Sequence, residues 1–248
     1  MAIALLTDFG TRDPYVAAMK GVLASRTSAA VHDLSHDIAP YDILGAAWFL
    51  SAIVRYWPAG TIFVGVVDPG VGTARSIVAV ESEGRVFLAP DNGLLTFIDG
   101  AAHAVTNEAF FLPEGSHTFH GRDRFAPVAA AIANGTGLSS LGPRLDSIVR
   151  LRYEWPSYGD VVRGTIVAVD RFGNAITDIE RARIPFAPFV LRAGGHVIDR
   201  VELNSGNAAP GAFLIVGSTG CIEISVANAS AAERLQLRRL ERVELTPL

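Results

Sequence analysis

The 248-residue sequence predicts an α/β N-terminal domain, strands and helices on an open sheet, followed by a smaller C-terminal all-β, barrel-like domain. Three observations lead there. Up to Asn134, short apolar runs rich in Val and Ile alternate with stretches whose apolar residues fall at helical spacing. Between Gly135 and Tyr158 the pattern loosens, with Gly137, Gly142, Pro143 and Pro156 marking a linker. Beyond it, only short strand-like runs recur. We place the domains at 1–152 and 160–248.

Ile3 to Thr7 is a first strand, left through the glycine turn Asp8-Phe9-Gly10; Asp13-Pro14 offers an N-cap and first position for a helix reaching Arg26. Val31 to Ile38 reads as a second strand with its exit loop, and a helix runs from about Asp42 to Tyr56. In it Ile43, Leu44, Ala47, Trp48, Leu50 and Val54 form a core-facing stripe. Thr61 to Val67, Ser76 to Ser82 and Arg85 to Ala89 are strands. Asn92-Gly93 has the composition of a hairpin turn, and Pro127 to Asn134 is an alanine-rich helix. In the second half, strands are expected at 161–169, 189–191, 197–201, 213–216, 222–226 and 243–245.

Composition narrows the function. A formal charge of −4, with 21 Lys and Arg spread along the chain, gives no basic footprint for nucleic acid. The single cysteine, Cys221, precludes an internal disulfide and any Cys-based zinc cluster, and fits a reducing compartment. The start lacks a basic region before its apolar run, and the longest apolar stretch, Ile43 to Val54, is too short to cross a bilayer. A cytoplasmic protein with no membrane partner is expected.

Polar residues collect at strand ends. Asp68-Pro69-Gly70-Val71-Gly72-Thr73-Ala74-Arg75 follows the apolar run 61–67: the acid stands where the strand stops, Pro69 fixes φ, and the glycines permit backbone that side chains forbid. Arg75 supplies the opposite charge. Taken alone, this is a tight turn pinned by an ion pair. Asp8 likewise stands at the carboxyl end of a strand, where open α/β sheets bind ligands. Asp8-Phe9-Gly10 is not the kinase metal motif, because the other kinase signatures are missing. His32, Asp33, His36 and Asp37 invite a metal, and hence a metallophosphatase, but no third and fourth ligand are evident nearby; solvated loop residues account for them better. Ser116 to Pro127, with His117, His120, Arg122, Asp123 and Arg124, is either a cap network or a site.

Together, Thr7-Asp8-Phe9-Gly10, Val67-Asp68-Pro69-Gly70-Val71-Gly72 with Arg75, Ala89-Pro90-Asp91-Asn92-Gly93, Phe119-His120-Gly121-Arg122-Asp123 and Asp170-Arg171-Phe172-Gly173-Asn174 occur in an order that resembles the S-adenosyl-L-methionine (SAM) hydroxide adenosyltransferases. These are adenosine-forming SAM hydrolases related to the SAM-dependent fluorinase and chlorinase. Five separated motifs in register across nearly the whole chain are far more specific than any one. The resemblance implies a homotrimer with SAM bound between neighbouring subunits. It implies catalytic Asp68, Arg75 and His120, and a ribose-binding Asp8. Asp170, Phe172, Asn174, Ser218, Ala227 and Asn228 would meet the amino-acid portion and adenine. Thr219 stands where the halogenases carry a carboxylate-holding arginine.

The implied reaction is attack of water on C5′ of SAM, giving adenosine and L-methionine. The sulfonium leaves as a neutral thioether, so no general acid, metal or redox cofactor is needed; the site must hold and activate a water in line with the C5′–S bond. The halogenases carry aromatic hydroxyls at the positions of Asp68 and His120 and a serine at that of Gly121, and a carboxylate here repels halide. A non-catalytic SAM or adenosine sensor would not need the Asp68, Arg75 and His120 set.

Overall fold

A computed structural model describes residues 1–204 and 209–248, and the chain divides into two compact units, Met1–Leu151 and Arg152–Leu248. In the first unit the elements in chain order are β1 (Ala2–Thr7), α1 (Tyr15–Arg26), β2 (Ala30–Ser35), α2 (Ile43–Ile53), β3 (Thr61–Val66), β4 (Ile77–Ser82), β5 (Arg85–Pro90), β6 (Ala101–Ala104), α3 (Ala126–Ala133) and β7 (Arg144–Leu145). The sheet order is β2-β1-β3-β5-β4-β6-β7. β1 runs parallel to β2 and β3, and β3 parallel to β5, whereas β4 pairs antiparallel with β5 and β6. Every residue of β3 is buried, as a central parallel strand covered on both faces requires. The two-residue period of β1 sorts its side chains accordingly. Ile3 and Leu5 join Met19 and Leu23 of α1 and Val128 and Ile132 of α3; Ala4 and Leu6 join Ala46 and Leu50 of α2 on the other face.

Three local expectations are corrected. Asp13 does not cap α1: Pro14 is the N-cap and makes no side-chain bond, so the helix starts at Tyr15. Asn92-Gly93 is no hairpin, because the antiparallel partner of β5 is β4, which precedes it; the chain continues in turns and buries Leu94 and Leu95. β6, Ala-Ala-His-Ala, carries no strand signal in its sequence and forms because the exposed edge of β4 accepts it.

The second unit holds β8 (Val162–Val169), β9 (Ala175–Glu180), β10 (Phe189–Ala193), β11 (His196–Ile198), β12 (Ala212–Val216), β13 (Cys221–Val226), a short α4 (Ala231–Arg234) and β14 (Arg242–Pro247). They pair antiparallel in the order β11-β10-β14-β8-β9-β13-β12, and a bridge from Val201 to Leu214 draws the two ends together into a nearly closed, barrel-like sheet. Alternate residues such as Val162, Ile166, Ile222, Ile224, Val243 and Leu245 fill its interior. β9 was not anticipated; its apolar positions are broken by Thr177 and Asp178, both of which are buried with hydrogen-bond partners.

Candidate active site

Because β1 and β3 are parallel neighbours in the register Thr7 to Val66, the residues that follow them leave the sheet at one edge. Asp8 and Asp68 are therefore brought to the same carboxyl-end crevice of the first unit. They line a cavity of about 340 Å³ with His120, Phe9, Tyr15, Tyr41 and Phe119 among its walls. The strand end that carries Asp68 is held from β5's exit: Asn92 donates its side-chain N–H to the Val67 carbonyl at 2.9 Å. Gly72 closes the loop at φ +78°, and a Cβ there would overlap the His117 carbonyl. His120 enters on the segment before a π-helical turn, Gly121–Phe125, that runs into α3. Such turns often mark functional positions in helices. Asp123 of this turn is buried, bound to Arg122 and accepting from the Ser116 amide at 2.7 Å, while Ser116 Oγ accepts from the Phe119 amide at 3.0 Å. The polar cluster is thus both a cap network and a site.

Arg75 grips the Asp68 carboxylate with its Nε, 3.0 and 2.9 Å from the two oxygens, and its Nη2 also bonds Oδ2. The side chains are almost fully enclosed, 9% exposed for Arg75 and 4% for Asp68. The same Nη2 lies 2.8 Å from His120 Nδ1. An arginine can only donate, so Nδ1 must be the acceptor and the neutral ring carries its proton on Nε2. That Nε2 is buried without a protein partner. Burial first, then the charges of Arg124 and Arg75, lower the His120 pKa from the usual 6.5 to about 4, against the opposing pull of Asp68 and Asp123. At neutral pH the trio is therefore a carboxylate, a guanidinium and an uncharged imidazole whose Nε2 is a donor.

Asp8 has one oxygen engaged, Oδ2 accepting from the Tyr41 amide at 2.9 Å. Phe119 meets Phe9 and Tyr15 edge to face and those two rings are tilted to each other, with centroids 5.1 to 5.9 Å apart, giving the cavity an aromatic wall. The metal reading of the second strand's exit finds no support: among the described residues no group of three His, Cys, Asp or Glu side chains could hold an ion. His32 packs edge-on to Trp57, Asp33 pairs with Lys20, and His36 turns inward to Thr7.

Sequence comparison gives this arrangement a family. Models of the SAM hydroxide adenosyltransferase N-terminal and C-terminal domains match residues 3–142 and 164–244. The chain belongs to the SAM hydroxide adenosyltransferase family. A Thermus thermophilus protein named (R)-S-adenosyl-L-methionine hydrolase is 40% identical over 253 residues, covering 95% of this chain and 96% of that protein. A fluorinase of Actinoplanes sp. is 32% identical but covers only 72% of each chain. The crystal structure of an uncharacterized conserved protein from Thermotoga maritima matches with a TM-score of 0.91 at 31% identity, over 98% of this chain and 99% of that one.

The remaining residues that the adenosyltransferase resemblance singled out lie in the second unit. Asp170 accepts from the amides of Phe172 and Asn174 and from the Asn174 side chain, so the loop between β8 and β9 is wound about its carboxylate. Gly173, at φ +81°, lies against Ser230, which places this loop beside the Ala227-Asn228 turn at the end of β13. Phe172 is 79% exposed. Ser218 sits in the β12–β13 turn. Sequence reading missed Glu223, whose carboxyl lies against Gly217 and is raised in pKa by burial and then by the Asp170 charge. Its position between Ile222 and Ile224, where period-two alternation sends a side chain out of the core, was the available signal. Asn92 was seen only as a turn residue; its hold on Val67 depends on β5 lying next to β3, which no local pattern states.

Proposed function

We propose that this protein hydrolyses SAM to adenosine and L-methionine, with the water held and activated by Asp68, Arg75 and His120. The observation that carries the division of labour is the fixed tautomer of His120. With Nδ1 occupied by Arg75 and Nε2 protonated, the imidazole is not the base; its buried N–H is a donor suited to the oxygen of the attacking water. Asp68 lines the same cavity, and although Arg75 binds both its oxygens, Oδ1 accepts only from Nε and retains a lone pair, so the carboxylate is the proton acceptor. Arg75 orients both partners. As the water oxygen bonds to C5′, the C5′–S bond breaks with its electron pair passing to sulfur, and the water proton goes to Asp68 and then to solvent. General-base help of this kind contributes about 10²–10⁴ in rate.

The substrate is held by Asp8 at the ribose and by Asp170, Phe172, Asn174, Ser218, Ala227 and Asn228 at the amino-acid portion and adenine, in a homotrimer whose sites lie between subunits. The family resemblance supports this part, together with the exposure of Phe172. Catalysis needs no metal or cofactor. The name of the Thermus relative extends the proposal to the (R) sulfonium epimer. The deciding experiment incubates the purified protein, with chelator and both with and without chloride, with each SAM epimer in ¹⁸O-labelled water. Adenosine labelled at the 5′-hydroxyl is expected, formed faster from the (R) epimer. A requirement for chloride, or a 5′-halogenated nucleoside as product, overturns it.

A further inference from the structure

His36 is the one member of the His32, Asp33, His36 and Asp37 cluster that is buried, at 6% exposure, and the mechanism above does not use it. Its surroundings form a directed chain. Lys20 Nζ lies 2.6 Å from Asp33 Oδ2, and Asp33 Oδ1 lies 3.0 Å from His36 Nε2, an ion-pair distance outside the angular range of a full hydrogen bond. The ring's other nitrogen, Nδ1, is 2.9 Å from Thr7 Oγ1, and Thr7 Oγ1 accepts from the Phe9 amide at 3.2 Å. The Asp33 charge 3.0 Å from Nε2 favours the tautomer with its proton there; Nδ1 then accepts from the Thr7 hydroxyl, which keeps lone pairs for Phe9. The main chain of His36 adds a further tie, its carbonyl accepting from the Gly10 amide at 2.7 Å. Burial opposes the charge on Asp33, but the Lys20 bond and the nearby His36 ring prevail and hold its pKa below the usual carboxylate range.

The place of this chain in the sheet gives it a consequence. On one side Thr7 is held in register by Val66 of β3. On the other side the β1–β2 ladder shifts between Leu5 and Leu6. The strand exit that carries Asp8 is there tied by a histidine ring, a histidine carbonyl and the Tyr41 amide. We infer that His36, backed by Asp33 and Lys20, is a positioning residue that aims Asp8 into the cavity through Thr7 and Phe9. The inference rests on the reading that Asp8 meets the nucleoside.

The test is a kinetic cycle on the full-length protein with SAM as substrate. Asp8→Ala raises KM. His36→Leu raises KM by about tenfold with kcat within about threefold, since a ground-state contact weakened without loss of the reacting groups appears in KM. His36→Asn, whose amide oxygen can take the place of Nδ1, recovers most of the loss. In the Asp8→Ala background His36→Leu adds less than threefold. A merely structural role lowers the active fraction, and hence apparent kcat, and leaves KM alone. The proposal is overturned if His36→Leu changes only kcat, or if its KM effect is undiminished in the Asp8→Ala background. An unchanged KM in Asp8→Ala alone refutes the reading of Asp8 and the proposal with it, distinguishably from the other outcomes. If His36→Leu does not fold, Thr7→Val, equal in shape but without the hydroxyl, carries the same expectations.

Discussion

Lowering the pH from 7 toward 4 isolates the His120 environment, because the native ring, with its pKa near 4, stays neutral where an unfolded-chain histidine at 6.5 takes up a proton. In that window the unfolded state binds more protons than the native state, so the stability associated with this group is complete above pH 6.5 and falls as pH drops toward 4. Each unit is worth about 1.4 kcal/mol, so the contribution is about 2 kcal/mol lost by pH 5 and about 3 kcal/mol at the limit. Other groups titrate in the same range, and a difference experiment removes them. Urea denaturation of the wild type and of His120→Asn is measured from pH 7.5 to 4.5 at fixed protein concentration. The stability difference, wild type minus variant, should shrink with falling pH by about 1.4 kcal/mol per unit below 6.5. The His120 Cε1–H resonance should titrate near pH 4 in parallel. A difference that stays flat, or a ring that titrates near 6.5, refutes both the burial argument and the assignment of His120 as an uncharged donor at neutral pH.

Two further outcomes follow from the loop that carries Asp68. Asp68→Asn keeps the shape but leaves no carboxylate to accept the water proton, so turnover should fall by about 10²-fold or more with SAM binding retained by calorimetry; near-normal turnover removes Asp68 from the mechanism. Gly72→Ala forces a side chain into φ +78° and against the His117 carbonyl, so it should destabilise the protein by about 1–3 kcal/mol in thermal denaturation and lower kcat by displacing the Asp68–Arg75 pair; a variant with wild-type melting and kcat refutes the need for glycine there.

The parts of the fold that were legible in sequence were those with local causes. β3 announces itself because a strand buried on both faces must be continuously apolar, and α2 because its apolar residues repeat at helical spacing, although of the expected stripe Leu44 and Trp48 stay outside the core cluster that Ile43, Leu50 and Val54 join; the Asp42 cap, accepting from the Gly45 amide, shows only in the structure. The Asp68–Arg75 pair was legible because both ends lie on one glycine-shaped loop. β6 and β9 were not, since an Ala-Ala-His-Ala segment becomes a strand only when a neighbour's edge is free, and Asp178 enters a buried strand only because Tyr153 and the Thr165 amide satisfy it. His36 shows the same limit at the site's edge. Its spacing from Asp33 and His32 suggested a metal, while its actual partner, Thr7, stands 29 positions away and meets it only through the parallel pairing of β1 with β2.

The electrostatics of the trio also bear on which nucleophile it can hold. Arg75, the cation in the group, binds Asp68 through Nε and Nη2 and keeps a buried Nη1 without a partner; His120 adds no charge. The sum is one negative and one positive group in near-contact, with the carboxylate rather than the guanidinium among the cavity walls. An incoming halide would approach that carboxylate, and the repulsion between the two grows in an enclosed, low-dielectric site. Water suffers no such penalty. Under the proposed mechanism it accepts from His120 Nε2 and donates to Asp68, and a cationic sulfonium brought beside the same carboxylate is attracted rather than repelled. Under that mechanism, replacing Asp68 by a neutral hydroxyl-bearing residue removes the proton acceptor and part of the halide repulsion together, Asp8 remaining as a second carboxylate on the cavity wall.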